Sequence, residues 1–309
     1  MITKKSLSST VNVELTSQVG HALSATGVPA VNAYELGRLV FLKSPAANAP
    51  TTTKREHKRL IAVLTSVGLL TPVGDSGAFV LFGRSSAAPA EIACCIDPFA
   101  YVSHLSAMEH HGLTDRFPHI LYLTTPPAAD WRRQAEAKMQ KDLGDGYERY
   151  KASGLPRLTR SALSTIGHAS VHVQERSQMG AFRLVSDTPL RVATIGRTFL
   201  DMLREPKLCG GMQHVIDIYR NDAKRYFRLI LDELERHGKP IDKIRAGYIL
   251  SAVCELESPV FTAWKGLAQR GGSRKLDPDA EYSAEYSAEW QLSINVPSLI
   301  KQGNESDEL

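Results

Sequence analysis

Residues 51–84 read TTTKREHKRLIAVLTSVGLLTPVGDSGAFVLFGR and carry the clearest structural pattern in the chain. Thr53 is followed three residues later by Glu56, a capping-box spacing that predicts the start of a helix. Apolar side chains then recur at helical spacing and predict a buried face made of Leu60, Ile61, Leu64 and Val67. His57 lies nearer to this apolar face than to the cations, which favours a packing role for it.

The opposite side of the predicted helix begins with cations and continues with small side chains. The cations are Lys54, Arg55, Lys58 and Arg59, and the small residues are Ala62, Thr65 and Ser66. A smooth basic face of this kind suits the major groove of DNA. Two short apolar runs then flank the turn at 74–77, which predicts a β-hairpin. Helix, hairpin and basic face together predict a winged helix.

Other interpretations of this stretch remain open. A charged helix face is often only solvated, and winged helices also serve as protein-interaction modules. Gly-Asp-Ser-Gly at 74–77 also surrounds the nucleophile of trypsin-like serine proteases, and His57 lies upstream of it. A tight turn uses the same residue types, and that protease fold needs many strands before its serine, so the sequence favours the hairpin.

The composition of the 309-residue chain allows two domains of ordinary size. Apolar residues make up 43% and charged residues 23%, as in ordinary globular proteins. The net charge of +4 is mild, but the cations are clustered, and clustering favours nucleic-acid contact more than the total does. The four cysteines lack C-x-x-C spacing, so reduced thiols are expected. With neither an apolar leader nor a membrane-length run, we expect a cytoplasmic protein.

The order of elements predicts an α+β chain with two domains. Residues 13–84 read as a winged helix-turn-helix DNA-binding domain, with two helices over Val13–Ala25 and Ala33–Leu42 and a connecting loop at 44–50 before the recognition helix. Residues 90–300 read as a mixed α+β domain with most of its helices late.

The second domain contains a predicted helix near its start and a basic excursion after it. Asp97 as a cap and Pro98 in the first turn predict a helix that runs to His111. A basic excursion is predicted at about 127–160, because eight Lys/Arg face four acids between Trp131 and Arg160 and glycines punctuate the segment. This excursion is interpreted either as a mobile basic arm or as a solvated surface loop.

The sequence offers no catalytic constellation. It lacks a P-loop, a G-x-G-x-x-G after a strand and a G-x-S-x-G elbow. His104, His110 and His111 with Glu109 do not follow H-E-x-x-H order, so no metal site is predicted. A salt bridge is the economical account of Arg197 and Asp201 at i, i+4. We therefore predict a non-enzyme without catalytic residues, metal or cofactor.

Several segments taken together resemble AbiEi-type antitoxins, which are transcriptional regulators of type IV toxin–antitoxin and abortive-infection systems. The segments are YVSHLSAMEHHGL with HILYLTTP (101–126), LRVATIGRTFLDMLREPKLCGGMQHVIDIYR (190–220), IRAGYIL (244–250), and LDP with EWQLSIN near the end. They occur in the family's order, and a winged helix precedes them as in the family. The chain departs from the pattern in its longer basic excursion and at Gly196, where the family often has a charged residue.

The resemblance implies a repressor of its own operon whose C-terminal domain counteracts a nucleotidyltransferase-like toxin, generally without a stable complex. The DNA partner would be its own promoter, often with inverted repeats, bound as a monomer or homodimer. The alternative from a different class is a phage-defence protein whose winged helix contacts proteins. An enzyme acting on nucleic acid is a third hypothesis, for which no residues are found.

The predicted DNA contacts fall into four groups. Thr52, Thr53 and Lys54 are expected at phosphates, and Arg55, Lys58 and Arg59 are expected to face the groove. The hairpin is expected to touch the backbone or minor groove through Asp75 and Ser76, with Arg84 behind it. Secondary contacts by charge alone are Lys224, Arg225 and Arg228, for which a solvated helix face is an equal alternative.

Overall fold

The structure is a computed structural model that describes residues 13–43, 50–117, 119–268 and 274–300, apart from the side chains of residues 50–52. These residues form a mixed α+β protein, so the predicted fold class is confirmed at that level. The chain divides into two compact units. Unit 1 comprises residues 1–100, 124–179 and 184–191, and unit 2 comprises residues 101–123, 180–183 and 192–309.

Unit 1 begins with three helices and a small sheet. The elements are α1 (Val13–Ala25), β1 (Ala30–Val31), α2 (Ala33–Lys43), α3 (Pro50–Ser66), β2 (Leu70–Pro72) and β3 (Phe79–Leu81). The strands lie in the order β1-β3-β2, and both pairings are antiparallel. The two predicted helices and the hairpin are confirmed, and the side chain of Asn32 accepts a hydrogen bond from Glu35 N at 2.9 Å, which starts α2 as a cap does.

Helix α3 begins at Pro50 rather than at the predicted Thr53. Proline suits the first helical position, because its missing N–H would be unpaired there anyway. Thr53 therefore lies within the helix and is fully buried. The predicted connecting loop loses Pro50 to the helix, and its residues 44–49 lie outside the described ranges.

The remaining helices and strands complete both units. In chain order they are α4 (Pro89–Ile96), β4 (Tyr101–Val102), α5 (His104–His110), β5 (Ile120–Thr125), α6 (Ala128–Leu143), α7 (Tyr147–Ala152), β6 (Thr165–Ile166), β7 (Ala169–Glu175), β8 (Phe182–Leu184), β9 (Arg191–Ala193), α8 (Ile195–Arg204), α9 (Met212–His237), α10 (Pro240–Tyr248), α11 (Val260–Lys265), β10 (Tyr286–Ser287) and β11 (Leu292–Ser293). Strands β4 to β9 form one sheet in the order β6-β7-β5-β4-β9-β8. Strands β6 and β7 are antiparallel, and β4 and β9 are parallel with Val102 opposite Val192.

The segment Trp131–Arg160 is neither a mobile arm nor a solvated loop, so that prediction is wrong. It forms α6, α7 and a following loop. Its apolar side chains lie in the same core as the helices α1 to α3, and they are Trp131, Ala135, Met139, Tyr147, Tyr150, Leu155 and Leu158. Because unit 1 includes this segment, the units do not coincide with the predicted domains 13–84 and 90–300.

Asp97 ends a helix instead of starting one. Helix α4 stops at Ile96, and the Asp97 N–H donates to Ala93 O at its C-terminus. The next helix, α5, starts only at His104 and has its C-cap at His111, so the predicted end of this helix is confirmed and its predicted start at Pro98 is wrong. Between them the chain makes a turn at residues 98–99 and then forms β4, which the aspartate–proline pair did not reveal.

Unit 2 is built around α8 and α9, whose buried apolar residues include Phe199, Leu203, Val215 and Tyr219. The two helices approach closely at Gly196, where an added Cβ would lie 2.4 Å from the carbonyl oxygen of Leu229. Only glycine fits such an approach without a backbone shift. This contact accounts for the glycine at a position where the resembled family often carries a charged residue. None of the described helices is long and apolar enough to cross a membrane.

Candidate nucleic-acid interface

Helix α3 has one buried stripe and one basic face. Thr53, His57, Leu60 and Leu64 are buried and follow one another at helical spacing. Val67 was predicted on this buried face, but it follows the end of the helix and is 63% exposed, so that part of the prediction is wrong. On the other side Lys54, Arg55 and Lys58 are exposed, and Arg59 is half-buried. None of these four cations forms an ion pair with an acid in the described part of the chain. The face therefore presents uncompensated positive charge.

The hairpin turn after α3 holds its own shape. Gly74 and Gly77 have positive φ values of 47° and 70°, which glycine adopts at little cost. The Ser76 hydroxyl donates to Val73 O at 2.6 Å and accepts from Ala78 N at 3.2 Å. These bonds are those of a turn, as the hairpin interpretation predicts, and they engage the hydroxyl within the turn.

The other predicted contacts have mixed outcomes. Burial of Thr53 contradicts a phosphate contact by its side chain. The side chain of Thr52 lies outside the described residues. Asp75 is exposed in the turn, and Arg84 is exposed after β3. The three cations of α9 predicted as secondary contacts, Lys224, Arg225 and Arg228, are exposed. Arg225 lies 5.0 Å from the ring centroid of Tyr226. The three cations belong to unit 2, and their role in DNA binding stays a prediction.

His57 has the packing role that its position predicted. It is 6% exposed, and its Nε2 has no hydrogen-bond partner among the described residues. Burial lowers the pKa of His57 to about 4, because the charged imidazolium is poorly solvated there. The imidazole is therefore neutral at pH 7 and belongs to the core that supports the basic face.

We expect this histidine to make the protein less stable in mild acid. Unfolded histidine has a pKa of about 6.5, so below that pH the unfolded chain binds a proton at this residue. The folded protein binds it only near pH 4. The contribution of neutral His57 to the free energy of unfolding is therefore fully present above about pH 6.5. It decreases as the pH falls from 6.5 towards 4, by about 2 kcal/mol between pH 7 and pH 5. Urea unfolding of the wild type and of His57→Leu at both pH values measures it. Equal pH dependence in the two proteins would contradict the assignment.

A second polar constellation lies in unit 2 at the start of α5. His104 Nε2 is 2.8 Å from Glu205 Oε2, and Nδ1 is 2.8 Å from Ser103 Oγ. The order serine–histidine–carboxylate is that of a nucleophilic triad, but Ser103 and His104 are 0% and 1% exposed, so the hydroxyl is not open to solvent in this structure. The group instead ties the start of α5 to the end of α8, and it holds His104 at a φ of 50°.

The histidines considered for a metal do not converge. His104 is engaged as above, and His111 Nε2 lies 2.7 Å from Ala193 O. Within the described ranges no group of three or more His, Cys, Asp or Glu side chains is placed to hold a metal ion. The four cysteines, all of them described, form no disulfide.

Comparison with known proteins adds little to this picture. Neither a scan against protein-family models nor a search of curated proteins gave a match. Among solved structures, the chain is similar to the crystal structure of the RV2827C protein from Mycobacterium tuberculosis, with 16% identity, 90% of each chain covered and a TM-score of 0.47. A likeness at this level assigns no function.

Proposed function

We propose that this chain is a sequence-specific DNA-binding repressor of its own promoter and the antitoxin of a type IV toxin–antitoxin system. In this proposal α1, α2, α3 and the β1-β3-β2 sheet act as a winged helix, with α3 as recognition helix. The observation that carries the DNA-binding half is the basic face of α3, which lies opposite the stripe of buried residues and lacks acidic partners in the described chain.

Each part of the face has a distinct task in the proposal. Arg55, Lys58 and Arg59 enter the major groove, where arginine and lysine read guanine edges. Lys54 neutralises a phosphate beside the groove. The turn at 74–77 approaches the backbone or minor groove; because the Ser76 hydroxyl is already engaged, this contact falls to backbone N–H groups.

The antitoxin half rests on the resemblance. The segments that carry the resemblance include α5, α8 and α10, which lie in unit 2 and supply many of its buried residues. Their proposed functional partner is a nucleotidyltransferase-like toxin. Coexpression of such a toxin with the wild type and with a DNA-binding-deficient variant tests this half separately: growth rescue by both supports it, and failure of both contradicts it.

We expect Lys58→Ala and Arg59→Ala each to weaken binding to the chain's own promoter fragment. The loss should be roughly 1–3 kcal/mol for a side chain that contacts a base and smaller for one that contacts a phosphate. Fluorescence anisotropy against promoter and scrambled duplexes across a salt series measures it. Arg132→Ala, which removes an exposed cation from α6, is the matched control. Unchanged affinity in the Lys58→Ala/Arg59→Ala double variant would sink the recognition-helix assignment.

One observation favours the second candidate, a phage-defence protein that uses this region for protein contacts. Val67 and Phe82, at the base of the hairpin, are 63% and 75% exposed, and Leu69 between them is 37% exposed. Exposed apolar side chains of this size are common in protein interfaces. A flat salt dependence of DNA binding would favour this candidate, because phosphate neutralisation must release counterions.

A further inference from the structure

The loop at 153–161, which follows α7, has a fixed path in unit 1. The Tyr150 hydroxyl donates to Pro156 O at 2.6 Å, and the Ser153 hydroxyl accepts from Leu155 N at 3.3 Å. Leu155 and Leu158 are both buried in the core shared with α1, α2 and α3. With two anchors in the core, the backbone between them follows a defined path.

Both ends of this loop contact elements of the candidate interface. At its start, a Cβ on Gly154 would lie 3.5 Å from Cδ of Lys54, in the first turns of α3. At its end, the Ser161 hydroxyl donates to Ser76 O, in the hairpin turn, at 2.7 Å. The 153–161 loop therefore runs from the basic end of α3 to the hairpin turn and borders the interface.

Arg157 lies midway along this path. It is exposed and has no ion-pair partner among the described residues, whereas the neighbouring Arg160 is paired with Glu175 at 2.6 Å. Its two neighbours in the core, Leu155 and Leu158, fix the backbone on either side. An uncompensated guanidinium, held between a basic helix and a hairpin turn, has the geometry and charge to meet a phosphate.

We propose that the 153–161 loop is a third DNA-contacting element and that Arg157 neutralises a phosphate of duplex DNA between the contacts of α3 and those of the hairpin turn. This inference rests on the proposed DNA-binding function. The ligand group is a backbone phosphate, so Arg157 contributes affinity without sequence preference. The basic segment thus takes part in DNA binding as a rigid border of the interface, not as a flexible arm.

The test measures the salt dependence of binding by Arg157→Ala in the full chain. We expect several-fold weaker binding to promoter and scrambled duplexes alike, and a slope of log K against log salt that is shallower by about 0.9, the value for one phosphate contact. Arg157→Lys should keep the slope, and Arg157→Glu should lower the affinity further. Arg132→Ala changes the net charge equally and should keep the wild-type slope.

The outcomes separate this inference from the function it rests on. If Lys58→Ala/Arg59→Ala weakens binding while Arg157→Ala keeps the wild-type affinity and slope, the loop does not contact DNA and the repressor proposal stands. Tighter binding by Arg157→Ala overturns the inference as well, because the loop would then obstruct the duplex. If the wild type shows no salt-dependent binding to any duplex, both proposals fail together.

Discussion

Replacing Asp201 with alanine is expected to lower the free energy of unfolding by about 3–5 kcal/mol, because it leaves a buried guanidinium without its counter-charge. Arg197 and Asp201 are 2% and 1% exposed, and Arg197 Nε lies 2.8 Å from Asp201 Oδ1. The salt bridge predicted from their spacing is confirmed, but burial was not predicted. Burial changes its energetics, since an exposed pair at this spacing contributes only a few tenths of a kcal/mol.

The groups around the pair shield the Arg197 guanidinium from water. An added Cβ on Gly180 would lie 2.4 Å from Arg197 Nε, so the backbone there closes directly over the guanidinium. Glu233 on α9 is also buried, and its burial raises the pKa of its carboxyl, which weakens it as a replacement anion. Asp201 is therefore the main counter-charge within this part of unit 2.

The double variant Arg197→Met/Asp201→Leu provides the control. Removing both charges and filling the space with apolar side chains should cost much less than Asp201→Ala alone, since no unpaired charge stays behind. Urea unfolding at pH 7 measures both free energies. A cost below about 1 kcal/mol for Asp201→Ala, in the range of an exposed pair, would mean that water reaches the guanidinium.

The sequence predicted those parts of the fold that depend on local patterns. Leu15, Val19 and Leu23 recur at spacing four, and the helix predicted over Val13–Ala25 is α1 with the same bounds. Strand β1 was missed because two residues, Ala30 and Val31, are too few for a periodicity. Its pairing partner, β3, is about 50 residues away along the chain, and only the folded protein brings them together.

The prediction for residues 131–160 was wrong because it followed the high charge of the segment instead of the spacing of its apolar residues. Trp131, Ala135 and Met139 follow each other at i, i+4, the repeat of a helix with a narrow apolar face, and all three are buried. Surrounding cations cover the outer faces and dominate the composition. A short apolar stripe led by tryptophan was the signal that could have placed this helix against a core.

For the α3 residues of the candidate site, the helix periodicity predicted the exposed side correctly, whereas the error at Thr53 came from a different feature. The wheel positions of Arg55 and Lys58 predicted their exposure correctly, because the buried stripe sets the orientation of a helix. Thr53 was placed wrongly, because the proline that starts the helix was assigned to the preceding loop. The approach of the 153–161 loop to α3 depends on a contact between residues a hundred positions apart, Lys54 and Gly154, and no local pattern contains that information.

Replacing Asp97 with alanine should cost roughly 3–6 kcal/mol of the free energy of unfolding, since two buried donors lose a charged acceptor at about 1.5–3 kcal/mol each. The Asp97 carboxylate accepts from Trp131 Nε1 at 2.9 Å and from the Thr125 hydroxyl at 2.8 Å. Asp97 is 5% exposed, and both donors are more completely buried. It joins the end of α4, the end of β5 and the start of α6 within unit 1.

The backbone at Asp97 is held from the other side by Arg191. Its guanidinium donates to Cys94 O and to Asp97 O, both at 2.7 Å, and its Nε donates to Ala100 O at 2.7 Å. These bonds satisfy carbonyls that the end of α4 leaves without helical partners. The fixed backbone holds the Asp97 carboxylate in place opposite Trp131 Nε1 and the Thr125 hydroxyl. In Asp97→Ala these two buried donors would lose that acceptor.

A double-mutant cycle with Trp131→Phe isolates the main bond. Phenylalanine keeps most of the ring but removes the indole N–H, so Asp97→Ala should cost less in the Trp131→Phe background than in the wild type. Urea unfolding of the four proteins at pH 7 gives the coupling energy, which we expect to be about 1.5–3 kcal/mol for a hydrogen bond to a charged group. A coupling near zero would mean that the indole N–H finds another acceptor. Because α6 shares its core with α3, the variants that lose most stability should also lose promoter binding at lower temperature than the wild type.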